Sequence, residues 1–176
     1  MKQPLSLRKE GAVARLRMER PEVHNAFDAA LVAACDIAIG VPGAKFGLTE
    51  SKLGLLPAVI SPYVVNAIGP RHARRYFASA EIFDAAQAQH LGLLHEVVEA
   101  DALDDTVQRQ VDLLLKAGPI AAASAKALVR NVASASGPVA IDTANAELIA
   151  RLRVSPEGQE GIAAFLEKRK PKWVAE

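Results

Sequence analysis

Phe46-Gly47-Leu48-Thr49-Glu50-Ser51-Lys52-Leu53-Gly54-Leu55-Leu56-Pro57-Ala58 places one carboxylate between two apolar stretches that each contain glycine. Phe46 to Glu50 reads as extended chain. Leu53 to Ala58 holds too much Gly and Pro for regular structure and reads as an apolar loop. Desolvation in such a setting disfavours the charged form of a carboxyl, the condition under which a glutamate exchanges protons with a substrate. The same spacing suits a solvent-facing glutamate at a strand end, with Lys52 keeping the loop in water. Spacing alone leaves both readings open.

Upstream, Ala14, Leu16 and Met18 alternate with Arg15, Arg17 and Glu19 at the two-residue period of a half-buried sheet, and Pro21 ends the run. Asp28 is placed to cap a short Ala-rich helix to about Cys35, followed by a buried strand over Asp36 to Ile39 and a turn at Gly40 to Gly43. Downstream the pattern turns helical. Ser61-Pro62 carries N-cap and N1 chemistry, and Gly69-Pro70 stops that helix and starts another to about Ser79. Asp84 caps a helix closed by Gly92, Leu93 to Val98 returns to strand, and Asp101 opens a helix to Ala117. Gly118-Pro119 breaks it, helices follow near 119–132 and 139–153, and Ser155-Pro156-Glu157 starts a last one that ends before Pro171. Strands first, a mixed middle and helices last predict one α/β domain over 1–176, with an α/β core to 118 and a helical region from 119.

Composition narrows the classes. With 176 residues, 51% of them hydrophobic and 23% charged, the chain is expected to be globular and not disordered. Lys plus Arg at 21 against Asp plus Glu at 20 gives no field to attract a phosphate backbone, so no nucleic-acid partner is expected. No apolar run reaches the roughly 18 residues of a spanning helix, and Met1 to Glu10 is too polar for a secretory signal. Cys35 is the single cysteine, so no intrachain disulfide forms, and no Cys/His group has zinc spacing. The expectation is a cytoplasmic protein without metal or membrane partner. Cys35 itself reads as a small buried hydrophobe.

The four histidines, His24, His72, His90 and His95, are scattered, none spaced for a metal or a triad. His72 shares a helix with Arg71, Arg74 and Arg75, a solvated basic face or an anion site. Lys168-Arg169-Lys170-Pro171-Lys172 suits a solvated tail, positive charge at a helix C-terminus, or contact with a phosphate. A glycine-rich phosphate loop and a G-x-S-x-G elbow are both missing.

RPEVHNAF at Arg20–Phe27, LVAACDIAI at Leu31–Ile39, FGLTESKLGLLPA at Phe46–Ala58, AAQAQHLGLLHEVV at Ala85–Val98 and GIAAFLEKRKPKW at Gly161–Trp173 together span nearly the whole chain. In that order they resemble the crotonase superfamily, the enoyl-CoA hydratases and isomerases. FGLTE followed by PAVISPYV is most similar to methylglutaconyl-CoA hydratase-like members, which act on branched, carboxylated enoyl-CoAs. The resemblance implies a truncated crotonase-like (ClpP/crotonase) α/β fold. It also implies lyase or isomerase chemistry on an acyl-CoA of fatty-acid or branched-chain catabolism, through an enolate-like state held by two backbone N–H donors. Coenzyme A enters as part of the substrate, with no separate cofactor. A homo-oligomer, trimer or hexamer, is implied, with 119–176 as the oligomerisation region.

By the same resemblance Glu50 is the general acid/base, Thr49 lines the substrate, and the Ala58 N–H helps to place the water or acyl group. Glu22, Val23, His24 and Ala26 border the CoA adenine and pantetheine, and Phe165 and Lys168 approach the adenine and 3′-phosphate. The family's two donor segments have no counterpart. Asn25-Ala26-Phe27-Asp28 runs directly into Ala29-Ala30-Leu31, so a block carrying both donors is read as deleted. Ala30 stands where two-glutamate hydratases carry their second carboxylate. Each lost donor lowers kcat by about a hundred- to a thousand-fold, so impaired hydratase activity is expected. Leu31, Val32, Ile37 and Ile39 are expected to be under-packed or exposed. A non-catalytic oligomerisation module and an acyl-CoA-binding module are the alternatives.

Overall fold

The computed structural model describes residues 5–18, 28–134 and 138–174, without the side chains at 28–30 and 138–141. Within that range the chain falls into two compact units. One comprises Met1–Arg8 with Leu16–Gln108, the other Lys9–Arg15 with Arg109–Glu176. The longer part of the second starts at Arg109, inside a helix.

Strands β1 (Leu5–Glu10) and β2 (Val13–Met18) form a two-stranded sheet, turning at Gly11, whose φ of 56° favours a residue without Cβ. Helix α1 (Asp28–Ala34) follows. The buried strand expected over Asp36 to Ile39 is only β3 (Ile39–Gly40), which pairs in parallel with β6 (Glu96–Val97), Ile39 opposite Glu96 and Gly40 opposite Val97. The six-residue strand expected over Leu93 to Val98 shortens in the same way. β4 (Lys45–Phe46) pairs antiparallel with β5 (Phe83–Asp84).

Helix α2 (Ser61–Ser79) contains the predicted break: Gly69 has φ 74° and ψ 160°, and Pro70 restarts the helix. Its N-terminus differs from expectation. The position before it is Ile60, and Ser61 Oγ donates to Ala58 O at 2.9 Å instead of capping. Helix α3 (Ala85–His90) starts as predicted, the Asp84 side chain accepting from Gln87 N at 2.8 Å.

Around these elements lies the core of the first unit. Leu48, Val64, Ile68, Tyr76, Leu93 and Leu94 are all buried in one cluster. Phe83 stacks on Phe46 at 5.9 Å between ring centroids and tilts against Tyr76 at 4.5 Å. Val32 is part of this cluster, and Leu31, Ile37 and Ile39 are half-buried, so the expected exposure of this stretch is corrected: α1 packs on α2. Cys35, expected to be buried, is half-buried.

Besides the hairpin turn, the second unit holds helices: the end of α4 (Leu103–Lys116), α5 (Pro119–Ser134), α6 (Pro138–Val154) and α7 (Pro156–Leu166). No helix among the described residues is long and apolar enough to cross a membrane.

Candidate active site

Glu50 does not continue a strand. Thr49 (φ −95°, ψ 6°) leaves the extended region, and Glu50–Leu53 forms one 3-10 turn ended by Gly54 at φ 72°. Extension was expected because Phe46 to Leu48 are apolar; glycine at the left-handed position lets the chain curl back instead. Gly54 N–H donates to Glu50 O and Ser51 O, and Leu55 N–H to Glu50 O at 3.1 Å. Ser51 Oγ pins the turn to α2 by donating to Phe77 O at 2.8 Å. Behind it, Leu48 is fully buried, and a Cβ on Gly47 would collide with Ile82 Cδ1. The turn is therefore held from both sides.

The Glu50 residue is half-buried, and its Oε2 is buried without a hydrogen-bond partner. Thr49 is half-buried beside it. Ala58 is exposed, and its N–H, the amide that the resemblance assigns to water or acyl group, donates to Leu56 O at 2.9 Å. Lys52, Gly54, Leu55 and Ser61 likewise spend their N–H groups on carbonyls of the same loop. This loop presents no free pair of donors from those positions.

Phe165 and Lys168 lie in the second unit. Phe165 is 82% exposed at the end of α7, and Lys168 is exposed with φ 54° just beyond it. The basic segment around Lys168 is partly committed. Glu160 receives Arg169 in a bidentate pair (2.6 and 3.1 Å) and the Lys172 N–H at 3.0 Å. The Arg169 hydrogen bond, with a smaller share from Lys172, lowers the Glu160 pKa from 4.5 to about 2 against the opposing effect of desolvation. Arg169 is raised in turn by its bonds to Glu160 and Glu167. Glu22, Val23, His24 and Ala26 lie outside the described residues, as does most of the junction read as a deletion.

His95, one of the scattered histidines, has a structural role. Its Nδ1 accepts the Ala38 N–H at 3.1 Å while its backbone N–H donates to Ala38 O at 2.8 Å, so the residue extends the β3–β6 pairing by one step. Nδ1 is thus the acceptor and Nε2 carries the proton. The signal was His95 in a strand-like run, which fixes no partner. Among the described residues no group of three or more His, Cys, Asp or Glu is placed to hold a metal ion.

The mixed helix and strand architecture is that of a crotonase-type α/β protein, shared with solved enoyl-CoA hydratases. The family model described as Enoyl-CoA hydratase/isomerase matches residues 29–176. The chain belongs to the enoyl-CoA hydratase/isomerase family. A solved enoyl-CoA hydratase from Shewanella pealeana is 46% identical with a TM-score of 0.79, over 82% of this chain and 54% of that one. The 2,3-dehydroadipyl-CoA hydratase of Escherichia coli is 30% identical over 78% of this chain and 54% of its own length. The mitochondrial methylglutaconyl-CoA hydratase of Mus musculus is 31% identical over 83% of this chain and 48% of its own. The chain thus spans about half the length of the curated relatives it matches.

Proposed function

We propose that this chain carries the acid–base portion of an enoyl-CoA hydratase/isomerase, with Glu50 exchanging a proton with a CoA thioester or its attacking water. The observation that carries this reading is the buried, unpartnered Oε2 of Glu50 on a turn fixed by Leu48 and Ser51. An acceptor withheld from water and from protein donors is available to a reacting proton. In this reading Thr49 and Ala58 flank the acyl group, and Glu22, Val23, His24 and Ala26 border the CoA. Phe165 and Lys168 meet its adenine and 3′-phosphate, with no cofactor beyond the CoA itself. The site of action is the cytoplasm, consistent with one cysteine and no disulfide to form.

Because the amides of Lys52, Gly54, Leu55, Ala58 and Ser61 are internally bonded, the thioester oxygen draws its donors from other positions. If both family donors are lost, turnover falls roughly 10⁴-fold or more below a relative that has them. The test is kcat/KM for crotonyl-CoA and 3-methylglutaconyl-CoA with the wild type and Glu50→Gln. Weak turnover lowered a further ~100-fold by the substitution is expected; robust turnover indifferent to it would sink the assignment.

A second reading, a non-catalytic oligomerisation module, is favoured by the exposed apolar residues Val129, Ile149, Val154, Phe165 and Leu166 on the C-terminal helices. In both readings the chain assembles with copies of itself, as a trimer or hexamer. Sedimentation separates the two when joined to the assay: assembly with no Glu50-dependent turnover leaves only the second.

A further inference from the structure

Glu50 is placed by its backbone, and the residue after it ties that backbone to a distant helix. Glu50 O accepts both the Gly54 N–H and the Leu55 N–H, so the peptide is closed within the turn. Ser51 Oγ supplies the hold from outside, donating to Phe77 O at 2.8 Å across 26 positions. Among the described residues this is the one side-chain hydrogen bond that the Glu50–Leu53 turn makes.

The receiving carbonyl is open because of how α2 ends. The last carbonyls of an α-helix have no amide partner within it. Beyond Ser79, Ala80 at φ 50° and ψ 31° turns the chain so that its N–H reaches Tyr76 O. The amide that would continue the ladder to Phe77 O is that of Glu81, and it donates to Ser79 Oγ at 3.3 Å instead. Phe77 O is thus left to a donor from elsewhere, and Ser51 is that donor. The anchor is firm, since Ala73, Tyr76 and Ala80 are buried and Phe77 packs, half-buried, against the same core.

One hydrogen bond of this kind contributes little to the stability of a whole domain, but this one lies a single peptide bond from Glu50. A reacting group displaced by about 1 Å loses on the order of 100-fold in rate. We propose that Ser51 is a positioning residue for Glu50: its hydroxyl, clamped to the C-terminal end of α2, keeps the Glu50 carboxylate aimed with Oε2 in its buried place. Ser51 touches no reacting atom and acts only through Glu50. The proposal rests on the reading of Glu50 as the acid/base and adds the contact that sets its aim.

The experiment is a double-mutant cycle of Glu50→Gln and Ser51→Ala on the full chain, with Ser51→Thr as the variant that keeps a hydroxyl. Expected with crotonyl-CoA is a kcat lowered ~10- to 100-fold by Ser51→Ala at unchanged KM and restored by Ser51→Thr. Added to Glu50→Gln, Ser51→Ala should cause no further loss, because it acts through the group already removed. Two further arms need no turnover. Hydrogen exchange at Gly54 and Leu55, whose N–H groups bond Glu50 O, should quicken ~3- to 10-fold in Ser51→Ala and return in Ser51→Thr, with α3 unchanged. Labelling of Glu50 by a water-soluble carbodiimide should rise in the same variant as Oε2 leaves its buried place. If Glu50→Gln leaves turnover unchanged, the acid/base reading falls whatever Ser51 does. If Glu50→Gln lowers turnover while Ser51→Ala does not, lowers it equally in both backgrounds or raises KM alone, the positioning role is overturned and the reading of Glu50 stands. Unchanged exchange and labelling in Ser51→Ala overturn it as well.

Discussion

The two units of this chain use similar aliphatic residues to opposite effect. In the first, Leu48, Val64, Ile68, Tyr76, Phe83, Leu93 and Leu94 are buried together. In the second, the buried residues from 109 onward among those described are Val111, Gly118 and Ala164. Its helices are tied by polar clasps instead. Glu157, on the first turn of α7, accepts the Ile120 N–H at 2.9 Å and the Ala121 N–H at 2.8 Å. Pro119 has no N–H and Ala122 donates to Gly118 O, so the start of α5 is fully satisfied. The Trp173 indole donates to Lys116 O at the end of α4, and its ring meets the space where Gly161 lacks a side chain. The contrast separates what holds a unit's shape from what removes apolar surface from water: the second unit has the former with little of the latter.

The largest effect that tests this contrast is a cavity in the first unit. Leu48→Ala removes a fully buried side chain directly behind the Glu50 turn and should cost about 3 kcal/mol. Leu166→Ala, at a residue 72% exposed, should stay within about 0.5 kcal/mol. Hydrogen exchange resolved by residue measures both. Equal losses of protection would mean that the apolar face of α7 is already covered in solution, which supports self-association.

Next in size is the Glu157 clasp. Glu157→Ala leaves two N–H groups of α5 without acceptors and should cost about 1–3 kcal/mol, felt as faster exchange at Ile120 and Ala121 and not in α2 or α3. Gly118→Ala should reproduce much of it, because a Cβ there would collide with Glu157 Oε1. Unchanged exchange in both variants would show that the helix start is served by water.

These clasps also mark the limit of what the sequence discloses. The helix starts at Asp84 and Ser155-Pro156 and the breaks at Gly69-Pro70 and Gly118-Pro119 were legible because each is decided within about four residues. The family was legible because its segments keep their order. The strands were overread: Asp36 to Ile39 and Leu93 to Val98 have strand composition, but a ladder exists only where a distant partner reaches, and that is two residues long. Glu50 was legible as a candidate through its apolar flanks. Its place on a turn and its buried oxygen depend on Gly54 and on Ser51 reaching α2, contacts that no local pattern specifies. Glu157 capping a helix 37 positions away is of the same kind.

The smallest effect is the most selective, because it titrates one clasp. Glu160 has a pKa of about 2 in the folded chain against an ordinary 4.5, held down first by the Arg169 hydrogen bond. A carboxylate with a depressed folded pKa contributes stability that is complete above the unfolded value and is lost as pH falls through the folded one. The clasp should therefore hold at pH 5 and above, weaken below about 4.5, and be gone once pH passes about 2. Trp173, the single tryptophan, follows the segment that Glu160 anchors through Lys172, so its emission reports the change. Glu160→Gln should abolish that part of the acid response, leaving the acid response of the first unit unchanged by hydrogen exchange. A transition centred near 4.5 in the wild type would mean that Arg169 does not hold Glu160 in solution.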